Sequence, residues 1–108
     1  MTVSEEVRKM SPAQKEFIEQ AKRRMKNIKG METDIKTRMR LCTSERCKEI
    51  ESWFDTVDSL KSQAAVEIEM VEMAAENEWA RMRQRVDEAL GMTEREFEKG
   101  YYILEKPE

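Results

Sequence analysis

Residues 45–90 read ERCKEIESWFDTVDSLKSQAAVEIEMVEMAAENEWARMRQRVDEAL, with no proline or glycine among them. Within this stretch Ile50, Trp53, Val57, Leu60, Ala64, Ile68, Val71, Ala75, Trp79, Met82, Val86 and Ala89 recur at steps of three and four. At about 100° per residue they fall in a single stripe along one α-helix. The phase holds across Lys61-Ser62-Gln63, so the spacing predicts one continuous helix from Glu45 to Leu90. At about 1.5 Å per residue it would be roughly 70 Å long, too long for a compact domain of this size. It is therefore expected to be a spine, with the rest of the chain or a second copy packed along it.

On the N-terminal side, Ser11-Pro12 supplies an N-cap followed by proline at the first helical position. The helix it opens carries Ala13, Phe17, Ala21, Met25 and Ile28 and is expected to stop at Gly30. Thr33 then caps a second short helix, with Ile35, Met39 and Cys42 on one face. Thr43 or Ser44 caps the spine, and Glu45 suits its positive end. Beyond it, Leu90-Gly91 reads as a stop, and Thr93-Glu94-Arg95-Glu96 fits a capping box for a short helix ending at Gly100. Tyr101 to Leu104 reads as an extended tail docked on the bundle, and residues 1–10 as a frayed lead-in. The expected fold class is all-α: an elongated helical bundle in one domain, 1–108. It is organised on one long helix, about 45–90, with two shorter N-terminal helices packed on it and a short C-terminal helix plus tail.

Composition agrees. Charged residues make up 40% of the 108 and hydrophobic residues 39%, which suits exposed amphipathic helices. Two prolines and three glycines leave too few turns for an all-β fold. Met1-Thr-Val-Ser-Glu-Glu-Val-Arg-Lys has no apolar run, and no stretch has the apolar length to span a bilayer, so no membrane role and a cytoplasmic location are expected. There Cys42 and Cys47 would be reduced thiols.

Catalytic patterns are missing. Without histidine there is no Ser-His-Asp triad, no Cys-His pair and no histidine metal site, and three isolated glycines make no phosphate loop. Glu69, Glu72 and Glu76 share one side of the long helix but find no second carboxylate cluster to hold a metal with them. No catalytic residue, cofactor or metal is expected, and the chain reads as a non-enzyme.

The charges are segregated. Residues 22–48 hold ten basic side chains against three acidic, and residues 49–78 nine acidic against Lys61 alone. Lys22, Arg23, Lys26 and Lys29 gather on one side of the first helix, and Lys36 and Arg40 extend the patch. Like charges at this spacing repel, so an outside anion should compensate them. The protein's own acidic block is one candidate; nucleic acid phosphate is the other, though no aromatic interleaves the basic residues for base stacking.

A second apolar surface decides the functional reading. Val66, Met70 and Met73, with Ala80 further on, lie about half a turn from the main stripe. One face is covered by the short helices; the other needs a partner, most economically a second copy. The expected function is protein–protein interaction by a coiled-coil-like homodimer, as an adaptor, an assembly factor or a small inhibitor that also meets another protein. Short inhibitors of this size include phage and mobile-element proteins that block host enzymes. The alternative is nucleic-acid binding through residues 22–48.

Overall fold

In a computed structural model, which describes residues 10–105, the chain forms three helices: α1 (Pro12–Met39), α2 (Ser44–Met73) and α3 (Trp79–Glu105). They lie up, down and up in a bundle of 61 × 24 × 18 Å. Short connections force consecutive helices to run antiparallel. Gln14 near the start of α1 thus meets Val71 at the end of α2, and Trp53 near the start of α2 meets Glu96 late in α3. The all-α class and the elongated shape hold. The expected lead-in lies outside the described residues, except for Met10, which packs half-buried against the core.

The single spine does not hold. The helix breaks at residues 74–78, where Ala74 turns extended (φ −74°, ψ 147°), and α3 reverses direction. Most of the stripe was read correctly: Ile50, Trp53, Val57, Ala64, Ile68, Val71, Trp79, Val86 and Ala89 are buried and Leu60 and Met82 half-buried, but Ala75, in the turn, is exposed. The buried residues belong to two helices whose stripes face each other. Folding back lets α3 cover α2 within one chain, a burial that an extended spine forgoes. The released carbonyls at the end of α2 are satisfied by a distant side chain. The Gln14 amide, itself buried, donates to the carbonyls of Val71 (3.0 Å) and Ala74 (3.2 Å).

The glycines stop nothing. Gly30 lies inside α1, which merges the two expected short helices, and Gly91 and Gly100 lie inside α3, which absorbs the expected tail. No glycine takes a positive φ among the described residues. Packing overrides the local signal, since Ile28 and Ile35 are fully buried on either side of Gly30 and Leu90 and Phe97 on either side of Gly91. Thr33 and Thr93 are not caps either. Their hydroxyls donate back to the carbonyls of Lys29 (3.1 Å) and Ala89 (2.8 Å) in mid-helix. Two caps stand as read: Ser11 Oγ accepts from the amide of Gln14 at 3.1 Å, and Thr43 Oγ1 from that of Arg46 at 3.3 Å.

The cysteines are joined. Cys42, in the α1–α2 connection, and Cys47, in the first turn of α2, form a disulfide with Cα atoms 5.7 Å apart. The expectation of two reduced thiols is corrected accordingly. One turn of helix after a capped loop brings the residues within bridging range, although they do not share a helical face.

Candidate interaction surface

Apolar burial and four polar clamps fix the faces that remain outside. Trp53 donates its indole N–H to the carbonyl of Glu96 at 2.7 Å and stands edge-on to Phe97, with centroids 5.1 Å apart. Arg24 grips Glu94 through two nitrogens, at 3.0 and 2.6 Å, and reaches Asp87 at 3.3 Å, tying α1 to α3. The hydrogen bonding to Glu94 and the two carboxylate charges hold its guanidinium pKa above the ordinary value. Lys61 meets Glu32 at 2.7 Å between α2 and α1, largely shielded from solvent. Tyr101 donates to Asp34 at 2.8 Å; burial first, then that bond and the Asp34 charge, raise its pKa.

With the bundle so closed, α2 keeps an apolar outer side. Val66 is 48% exposed, Met70 37% and Met73 85%. These are the residues that the second stripe singled out, and they stay exposed in the bundle, Met73 most of all. Ala80 is exposed too, but it sits in the first turn of α3. The break at 74–78 ends the helical phase that aligned it with Met73.

Beside this strip runs a groove of about 200 Å³ between α2 and α3, lined by Leu60, Gln63, Glu67, Arg85, Ala89 and Met92 among others. Gln63 also lines the shallow hollow next to it, which reaches Val66, so groove and strip are continuous. Met92, 49% exposed, adds an apolar rim from α3. Glu67 is only 7% exposed. Its Oε1 accepts from the Gln63 amide at 2.9 Å, while its buried Oε2 has no hydrogen-bond partner. The sequence held a signal for this: Glu67 lies two turns from Leu60 on the same line of the helix, at the edge of the core stripe. Arg85 and Met92 were not legible as members of the surface, because their place beside α2 depends on the reversal at 74–78.

The cationic ridge forms along α1. Lys22, Lys26, Lys29 and Lys36 run down one side of a single helix, Arg40 follows just past its end, and Arg23 lies about a quarter turn aside. Lys22 meets Glu72 of the acidic block at 3.0 Å, which is the expected self-compensation in one pair. The Lys36 ammonium sits 5.6 Å from the centre of the Phe54 ring. Arg23, Lys26, Lys29 and Arg40 are exposed and form no ion pair among the described residues. No group of three acidic or cysteine side chains placed to hold a metal occurs among the described residues, and no described helix is long and apolar enough to cross a membrane.

Compared with known protein families, characterised proteins and solved structures, the chain has no significant match.

Proposed function

We propose that this protein is a non-enzymatic interaction module that pairs with a second copy through the outer side of α2, as an adaptor, assembly factor or small inhibitor that engages another protein. The observation that carries the reading is the exposure of Val66, Met70 and Met73 on a helix whose opposite side is already fully packed. Exposed apolar side chains contiguous along one element mark a surface that gains by being covered. Methionine suits such a contact, since its unbranched side chain adapts to irregular partners. A symmetric dimer uses one patch twice, so a single strip suffices.

The test is Met70→Lys together with Met73→Lys. Lysine is a good helix former, so the bundle keeps its circular dichroism and melting. A buried cation without a partner costs several kcal/mol, so the assembly splits. Sedimentation that shows the wild type and the double variant at the same mass would sink this reading.

The second reading is nucleic-acid binding along α1, favoured by the exposure of Arg23, Lys26, Lys29 and Arg40 without ion-pair partners among the described residues. It requires a salt-dependent shift of duplex DNA or RNA that is lost when Lys26 and Lys29 become glutamate.

A further inference from the structure

We infer that the groove between α2 and α3 is completed by a second copy of the chain, whose Arg85 reaches the Glu67 carboxylate across a two-fold axis while its own Glu67 receives the first copy's Arg85. The inference rests on the dimer reading above and adds to it the polar pair that sets its register.

Glu67 presents a specific deficit. A carboxylate that is 7% exposed, with one oxygen bonded only to an amide and the other to nothing, is costly to keep in a folded chain. Among the described residues no cation pairs with it. Arg85 lines the same groove but forms no hydrogen bond or ion pair with Glu67. Glu88, which also lines the groove, forms no ion pair with Arg85 among the described residues; its Oε1 takes the Gln84 amide at 2.9 Å. Among the described residues, one groove therefore carries a buried carboxylate without a cation and a guanidinium without an ion-pair partner. A patch of that kind is complementary to itself. In a two-fold dimer, residue i of one copy meets residue j of the other and the reverse holds as well.

The walls fit the same occupant. At about 200 Å³ the groove is smaller than the 300–1,000 Å³ typical of small-molecule sites, so it suits a single long side chain. The aliphatic stem of an arginine can lie on Leu60, Ala89 and Met92 while the planar head meets the carboxylate. Arginine is better suited than lysine to a shielded pair, since guanidinium is less strongly hydrated and offers a fork of N–H donors. Rotation about the terminal torsion of Glu67, which is broad, turns its second oxygen toward the groove. Val66 and Met70 then close the contact on one side and Met92 on the other, excluding water from the pair. This agrees with the usual anatomy of a contact in which apolar anchors surround a few placed polar groups.

Complementation between two variants tests the inference, with Glu67→Gln in one preparation and Arg85→Gln in the other. Each alone loses both reciprocal pairs, and its dimer dissociation constant rises by about tenfold or more in sedimentation equilibrium. Mixed in equal amounts, they form a heterodimer in which the intact Arg85 of one meets the intact Glu67 of the other. Its dissociation constant lies closer to the wild-type value than that of either homodimer. If Arg85 serves Glu67 within its own chain, mixing restores nothing, because each chain lacks one member, and the inference fails. It also fails if both single variants dimerise as tightly as the wild type, an outcome that leaves the apolar dimer reading standing. A wild-type chain that stays monomeric at the highest concentration removes both. Circular dichroism on each variant checks that the helices are intact before any mass is compared.

Discussion

The indole of Trp53 occupies the space that a β-carbon on Gly100 would need: such an atom would sit 2.5 Å from Cζ2 and 2.7 Å from Cε2. The ring cannot retreat without breaking its 2.7 Å hydrogen bond to Glu96 and its edge contact with Phe97. Gly100 is in α3 because of close approach, not because the helix ends there.

Gly100→Ala is accordingly expected to destabilise the bundle. Overpacking typically costs about 1–3 kcal/mol, against a helix-propensity gain of about 1 kcal/mol or less. Gly30 is the control, since no atom lies within 4 Å of its would-be β-carbon. Gly30→Ala should stabilise by about 0.5–1 kcal/mol. Urea unfolding of both variants gives the two signs. Equal stabilisation by both would mean the indole is not held where it lies.

Gln14 is expected to matter more than a first-turn glutamine should. It is almost wholly buried, and its amide bonds two carbonyls at the end of α2. Gln14→Leu keeps the volume and removes the side-chain donor from both carbonyls. The Val71 carbonyl keeps the Ala74 amide at 3.3 Å while the Ala74 carbonyl loses its Gln14 bond, at a cost of about 1–3 kcal/mol. Amide exchange should rise first between Val71 and Trp79. A loss below about half a kcal/mol would show that water replaces the amide at this turn without difficulty.

How far the sequence could be read follows from these positions. Periodicity located the buried side chains, because Ile50 to Val71 and Trp79 to Ala89 occupy core positions whether the chain is straight or bent. It could not locate the bend, since Val71, Ala75 and Trp79 keep steps of four across it and Ala74 to Glu78 contains neither proline nor glycine. The signals that did fix a reading were local and satisfied locally, as with Ser11-Pro12 and Thr43. Gly30, Gly91 and the Thr93 capping box misled because their alternatives depend on partners distant in sequence. The exposed strip of Val66, Met70 and Met73 was visible because it needs only one helix. The Glu67–Arg85 groove needs two helices brought side by side.

The disulfide makes a separate expectation. It closes a short loop between Cys42 and Cys47, and constraint of that length is worth about 2 kcal/mol by loop-closure entropy. Alkylation under denaturing conditions should label neither cysteine until a reductant is added, and the reductant should lower the melting temperature. Replacing both residues by serine should lower it similarly and abolish any further effect of reductant. Alkylation of both thiols without reduction would show that the hairpin does not depend on the bond.

The last expectation concerns the bend itself. The apolar stripe keeps its phase across 74–78, so α2 and α3 could join into one helix if the turn were released. A straightened chain gives up the contacts of α3 with its own α1 and α2, but a second copy can return the same contacts by exchanging α3. What holds the turn is tertiary: the Gln14 bonds and the burial of Trp79, which stacks near Phe17 at 5.9 Å between centroids. Glu76→Ala with Asn77→Ala raises helix propensity by about 1 kcal/mol in total, roughly a fivefold shift per chain toward the straight form. Made in the Met70→Lys, Met73→Lys background, the pair avoids any contribution from the outer side of α2. Small-angle scattering should then show a concentration-dependent species longer than the 61 Å of the folded chain, with unchanged helix content. Two glycines inserted between Ala75 and Glu76 should suppress it while leaving the monomer folded. If the alanine variant keeps the monomer's mass and length at every concentration, the turn is fixed by more than packing and the shared phase of the two helices has no structural consequence.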